Sequence, residues 1–170
     1  TLRTHGITRD PKKLFKVDGG WYQEMRSLGF NYRLCDISAA LGTSQLKRLE
    51  KNLLRRREIA QEYSSALKSS GLELPQVTSG VEHAYHLYVI QLGQRKQLYD
   101  YLHSKQILVQ VHYLPVHMQP YYVERYGRQS LPNVEKYYSR TLSLPMYHGL
   151  EEQDQTRVVE TLQSFCRENL

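Results

Sequence analysis

Between Leu41 and Leu67 the apolar residues Leu41, Leu46, Leu49, Leu53, Ala60, Tyr63 and Leu67 return at close to the period of an α-helix. Asp36, whose carboxylate accepts amide hydrogens of a first turn, predicts the start, and Gly71 behind Ser69 and Ser70 predicts the stop. A helix over 36–70 would measure roughly 50 Å at 1.5 Å per residue, more than the diameter of a domain this size, so it is expected to bridge two bodies. Upstream, residues 1–35 hold Gly6, Pro11, Gly19, Gly20 and Gly29 among scattered charges, with no sustained period. An irregular arm of that length is expected to lie on another domain or a partner subunit.

Downstream the pattern changes to short alternating elements. Residues 85–92, rich in aromatic and β-branched side chains, predict a strand, and 107–112, reading Ile-Leu-Val-Gln-Val-His, a second. Leu98, Tyr101 and Leu102 share one face of a short helix predicted over 95–105. Pro115 and Pro120 predict a loop or single turn across His117–Tyr122. Further helices are predicted over 132–141, opened by Pro132, and 151–168, opened by Glu151, Glu152 and Asp154, with 142–146 extended between them. The organisation expected is α+β: an arm (1–35), a long bridging helix (36–70) and a small α+β domain (71–170).

Composition narrows the class. In 170 residues, 40% apolar and 24% charged, no apolar run approaches the roughly 20 residues of a membrane helix, and residues 1–6 carry no apolar signal core. A cytoplasmic protein with no membrane partner is expected. Cys35 and Cys166 stand far apart without metal-ligand spacing, so neither a disulfide framework nor a metal site is expected. The net charge of +6 suits polyanionic ligands, nucleic acids and nucleotide phosphates alike.

Three stretches hold candidate chemistry. Lys47–Arg57 concentrates cations in a way that would touch nucleic-acid phosphates, but it lacks interleaved aromatics and carries Glu50, and Glu58 follows it, as on a solvated or subunit-facing helix. Nucleic acid is therefore not the expected partner. His112, Tyr113, His117, Tyr121 and Tyr122 gather hydrogen-bonding rings on a loop after a strand, the usual place for groups that touch a hydroxylated ligand. Asn31 and Arg33 precede the long helix, where amide and guanidinium donors join a helix N-terminus that attracts phosphate.

Taken together, the runs Leu2-Arg3-Thr4-His5-Gly6-Ile7-Thr8-Arg9-Asp10-Pro11, Gly29-Phe30-Asn31-Tyr32-Arg33-Leu34-Cys35-Asp36-Ile37-Ser38-Ala39-Ala40-Leu41-Gly42, Gln45-Leu46-Lys47-Arg48-Leu49, Tyr85-His86-Leu87-Tyr88, His112-Tyr113-Leu114-Pro115-Val116-His117 and Leu142-Ser143-Leu144-Pro145-Met146-Tyr147 resemble the second half of the DegT/StrS family of sugar aminotransferases. The nearest flavour is the branch acting on UDP-4-keto-6-deoxy-N-acetyl sugars in pseudaminic acid precursor synthesis. The resemblance implies the small C-terminal domain of a fold type I, pyridoxal-phosphate-dependent homodimer. Such an enzyme moves an amino group, usually from glutamate, to the keto carbon of a nucleotide-linked sugar. It also implies that Asn31 contacts the cofactor phosphate of the neighbouring subunit with Arg33 near it, and that His112, Tyr113 and His117 border the sugar-nucleotide pocket.

None of the nine lysines (Lys12, Lys13, Lys16, Lys47, Lys51, Lys68, Lys96, Lys105 and Lys136) sits in the family's Schiff-base lysine motif. The chain is thus expected to be a C-terminal fragment that lacks the large domain and is inactive alone, with no catalytic residue of its own. Where many relatives read Leu-Pro-Leu-Tyr-Pro-Gly this chain has Leu144-Pro145-Met146-Tyr147-His148-Gly149, and Cys35 replaces the commoner Ser or Thr. A second reading stays open: a non-catalytic module that binds a sugar nucleotide or dimerises.

Overall fold

A computed structural model of the chain describes residues 1–16 and 18–170. Two units, residues 1–48 and 49–170, each make their own contacts.

In the first unit the irregular arm has more order than its composition suggests. Strands β1 (Ile7–Thr8) and β2 (Glu24–Met25) pair antiparallel, Ile7 opposite Met25 and Thr8 opposite Glu24. Glu24 holds the segment between them: its carboxylate accepts the amide hydrogens of Phe15 and Lys16, the Tyr22 hydroxyl and an Arg26 N–H. These bonds, the Phe15 amide first, hold Glu24 below the usual carboxylate range. The Arg26 guanidinium lies 3.6 Å from the centre of the Phe15 ring. Helix α1 (Asp36–Leu46) closes this unit, and none of its residues is buried.

The helix expected over 36–70 is two helices. Helix α2 (Leu49–Ala66) begins only after a turn at Lys47 and Arg48. Gly42, Thr43 and Ser44 are weak helix formers at the end of α1, and the Thr43 hydroxyl donates back to the Ala39 carbonyl, a bond that loosens a helix. The N-cap is Cys35 rather than Asp36, which is the first helical residue.

In the second unit the sheet is built around strand β4 (Thr141–Leu144), all four residues of which are buried. Strand β3 (Tyr88–Gln91) pairs antiparallel with it, Tyr88 opposite Leu144 and Ile90 opposite Leu142. Glu73 bridges to Gln91 on the outer edge of β3, and Gln110 bridges to Ser143 on the far side of β4. The second predicted strand is reduced to that one bridge. Its alternation correctly marks Ile107 and Val109 as buried and Leu108 as exposed, but a period of two reports which face meets the core, not how far a backbone ladder runs.

Helices α3 (Arg95–Ser104), α5 (Pro132–Arg140) and α6 (Glu152–Asn169) fall close to their predicted spans. Helix α4 (Pro120–Tyr126) stands where a loop or turn is predicted, because Pro120 occupies the first helical position, where its missing N–H costs nothing. Ile59 and Tyr63 from α2, Leu67 just beyond its end, Leu98 and Leu102 from α3, and Val158, Leu162 and Phe165 from α6 form one core with Tyr88, Ile90, Leu142 and Leu144. Burial of such side chains, worth ~1.5–3 kcal/mol each, ties the three helices to the sheet.

Candidate functional site

Asn31 and Arg33 owe their placement to a close crossing of backbones. The His5 amide donates to the Phe30 carbonyl (3.0 Å), the Phe30 amide to the Leu2 carbonyl (2.7 Å) and the Tyr32 amide to the Arg3 carbonyl (2.9 Å), with Thr4 bridged to Asn31. Only glycines allow this approach. A methyl on Gly6, at φ +71°, would strike the Ser27 carbonyl, and one on Gly29 the backbone of His5 and Gly6. The Phe30 and Tyr32 rings stack at 4.8 Å. Asn31 and Arg33 remain exposed, two hydrogen-bond donors held just before the start of α1. Beside them the Cys35 thiol, 3.2 Å from the Ser38 hydroxyl, is lowered from its usual value by that side chain and by backbone N–H groups at the start of α1.

In the second unit the predicted His/Tyr residues divide between two places. His112 sits at the β4 edge, its Nδ1 2.9 Å from the Ser143 hydroxyl, with its ring edge-on to Tyr113 at 4.8 Å. Tyr113 itself is exposed. His117 lies on the short 3-10 turn Val116–Met118, its Nε2 3.2 Å from Glu135 Oε1. With Pro115, Tyr122, Tyr126, Leu131 and Val134, His117 lines a cavity of about 410 Å³. Three donors hold this loop in shape: the Met118 amide to the Pro115 carbonyl, the Gln119 amide to the Val116 carbonyl, and the Gln119 side chain to the Leu114 carbonyl. Among the described residues no three of His, Cys, Asp and Glu converge as metal ligands.

The basic stretch has structural duties that its charge pattern conceals. Arg56 Nη1 donates to the carbonyls of Tyr85 (3.0 Å), Met146 (3.0 Å) and His86 (3.3 Å). Arg55 donates to the Leu150 carbonyl, and Arg57 to the His83 carbonyl while pairing with Glu82. Three guanidinium groups that look free along the sequence are thus fastened to carbonyls of the loops around the sheet. Sequence reasoning also missed Ser143 and Glu135, the partners of the two histidines. No local pattern marks either, since both pairings span more than fifteen positions. Tyr126 escapes sequence reasoning as well, since its i, i+4 spacing from Tyr122 has meaning only once residues 120–126 form a helix.

Known proteins match this chain along nearly all its length. The model of the DegT/DnrJ/EryC1/StrS aminotransferase family matches residues 1–163. The spore coat polysaccharide biosynthesis protein SpsC of Bacillus subtilis is 36% identical over 98% of the chain and 45% of its own length. The UDP-4-amino-4,6-dideoxy-N-acetyl-beta-L-altrosamine transaminase of Campylobacter jejuni is 35% identical over 96% of the chain and 43% of its own. Among solved structures, Helicobacter pylori PseC, an aminotransferase involved in the biosynthesis of pseudoaminic acid, superposes with a TM-score of 0.83 at 26% identity, covering 98% of the chain and 44% of PseC. The chain therefore spans less than half the length of these relatives. Its sequence and its α+β fold agree: the chain belongs to the DegT/DnrJ/EryC1/StrS aminotransferase family.

Proposed function

We propose that this chain is the C-terminal part of a pyridoxal-phosphate-dependent, homodimeric aminotransferase that moves an amino group, from glutamate, to the 4-keto carbon of a nucleotide-linked deoxysugar. The observation that carries the reading is the family match over residues 1–163, which includes the glycine crossing that presents Asn31 and Arg33.

The exposed side chains fit the cofactor's anionic end. An amide and a guanidinium supply N–H donors, the guanidinium a fixed charge as well, with α1 beginning three residues beyond Arg33. Pyridoxal phosphate, when bound, supplies the electron sink for amino transfer. Asn31 binds its phosphate from the neighbouring subunit and Arg33 adds positive charge beside it. His112, Tyr113 and His117 border the sugar nucleotide and orient it through hydrogen bonds. The lysine that holds the cofactor and carries protons is not among the nine here, so the chain does not transfer an amino group alone.

The test begins with the coding sequence upstream of Thr1. Reading through to a domain with a cofactor-binding lysine, the encoded polypeptide is expected to move nitrogen from 15N-labelled glutamate to UDP-4-keto-6-deoxy-N-acetylglucosamine and to show the visible absorbance of bound cofactor. Replacing Asn31 by Ala should weaken cofactor retention. A full polypeptide with neither absorbance nor transfer would sink the proposal.

A further inference from the structure

His117 is largely enclosed, with 8% of its side chain exposed. One carboxylate oxygen, Glu135 Oε1, accepts both the Leu131 amide hydrogen at 2.9 Å and a bond from His117 Nε2 at 3.2 Å. The Leu131 amide first, and His117 after it, hold Glu135 below the ordinary carboxyl range. Near neutral pH this oxygen therefore only accepts. A neutral imidazole has one N–H and one bare nitrogen, so the nitrogen that faces the carboxylate carries the hydrogen. His117 Nδ1 has no protein partner among the described residues, and the ring lines the cavity of about 410 Å³. The other titratable or charged groups around it are the Tyr122 and Tyr126 phenols of α4, and Arg128, which acts on Glu135 from the connection to α5.

We infer that Glu135 is a positioning residue: it fixes His117 with the hydrogen on Nε2 and leaves Nδ1 as an acceptor toward this cavity, which therefore takes its ligand through a hydroxyl or N–H group. The inference deepens the proposed function and rests on it for the ligand's class, a sugar nucleotide whose hydroxyls are the donors. It assigns polarity to the site. Nδ1 selects a donor, while the apolar Leu131 and Val134 and the faces of Tyr122 and Tyr126 suit the carbon skeleton of a deoxysugar.

The experiment is 15N-detected NMR of the His117 ring in the full 170-residue chain, at a pH where imidazoles are neutral. The wild type should show hydrogen on Nε2 and a bare Nδ1. In Glu135→Leu the ratio of the two tautomers should fall about tenfold, the factor set by loss of a charge-assisted bond, and Glu135→Gln, whose amide oxygen still accepts, should restore most of it. A purely structural tie would move the fold's amide spectrum without this reversal.

A wild-type ring with hydrogen on Nδ1, or a Glu135→Leu ring with an unchanged ratio, overturns the inference. Should Glu135→Leu not fold, the wild-type spectrum still decides. Titration with UDP-N-acetylglucosamine of the full polypeptide, read through from upstream of Thr1, separates the two claims. Movement at Tyr122, Tyr126 and Nδ1 together supports both. Movement at the tyrosines with Nδ1 untouched overturns the acceptor role. No movement at any of them, with the Glu135 dependence intact, rejects the sugar-nucleotide reading and leaves the positioning role standing.

Discussion

Replacing Arg56 by Met keeps most of the side chain's length and removes its donors. One nitrogen, Nη1, stands within 3.3 Å of three carbonyl oxygens, those of Tyr85, His86 and Met146. It carries only two hydrogens, so two strong bonds and one shared bond are its ceiling. A hydrogen bond to a charged donor contributes about 1.5–3 kcal/mol net. Arg56 is partly exposed, so water re-solvates some of what is lost, and the expected cost is about 2–4 kcal/mol rather than the full sum of two such bonds. Urea unfolding followed by far-UV circular dichroism should show the midpoint falling with the slope unchanged. Arg56→Lys should recover only part, because an ammonium lacks the planar fork. Arg48→Met removes an exposed cation from the same basic stretch and should stay within about 0.5 kcal/mol of wild type. If Arg56→Met and Arg48→Met are indistinguishable, the guanidinium is not fastening the loops and the reasoning fails.

Other outcomes follow from single contacts. Leu162→Ala, at a fully buried position of α6, should cost about 2–5 kcal/mol in thermal unfolding, whereas exposed Leu46→Ala should cost little. Tyr63 is completely buried, its phenol pushed well above its usual value by that burial, and its hydroxyl donates to the Pro145 carbonyl at 3.1 Å. Tyr63→Phe should lose about 1 kcal/mol and leave packing intact, and a loss above about 3 would mean the hydroxyl does more than serve one carbonyl. Glu24, lowered by its donors, stabilises the arm when ionised. That stability is present above the ordinary carboxylate range and is lost as the pH falls through Glu24's own, lower value. Hydrogen exchange at the Phe15 and Lys16 amides should therefore rise on acidification relative to simple chemical exchange. Glu24→Gln should flatten that dependence.

Legibility in the sequence follows the range of the interaction. Helices α3, α5 and α6 declare themselves through apolar spacing, Pro132 and the acidic first turn of α6, all of which act within a few residues. The division between α1 and α2 is hidden in the sequence, because the apolar period runs across Lys47 and Arg48 while the weakness lies in Gly42, Thr43 and Ser44. Asn31 and Arg33 stand out by their place before a helix, yet the reason they are held there, Gly6 against Gly29, joins positions more than twenty apart. The same holds for His112 with Ser143 and His117 with Glu135. A histidine can be noticed in a sequence; the atom that sets its hydrogen belongs to the fold. Arg55, Arg56 and Arg57 make the opposite case, since their charge is conspicuous and their use, satisfying carbonyls, is invisible until those carbonyls arrive.

The position of β4 also governs the order in which this unit can assemble. Its four residues lie between β3, which precedes it by an intervening stretch covering residues 92–140, and the bridge from Gln110. During synthesis α2, α3 and β3 emerge first, and although Tyr63 and Ser64 of α2 are there to meet Tyr88, no strand exists to pair with Tyr88 and Ile90 until Leu144 and Leu142 leave the ribosome. Closing so long a segment is slow compared with forming a helix, and the waiting surface is open to aggregation meanwhile. A nascent chain stalled before Thr141 should thus hold helices without a sheet, while one extended through α6 acquires both the strand and the helix that seals it.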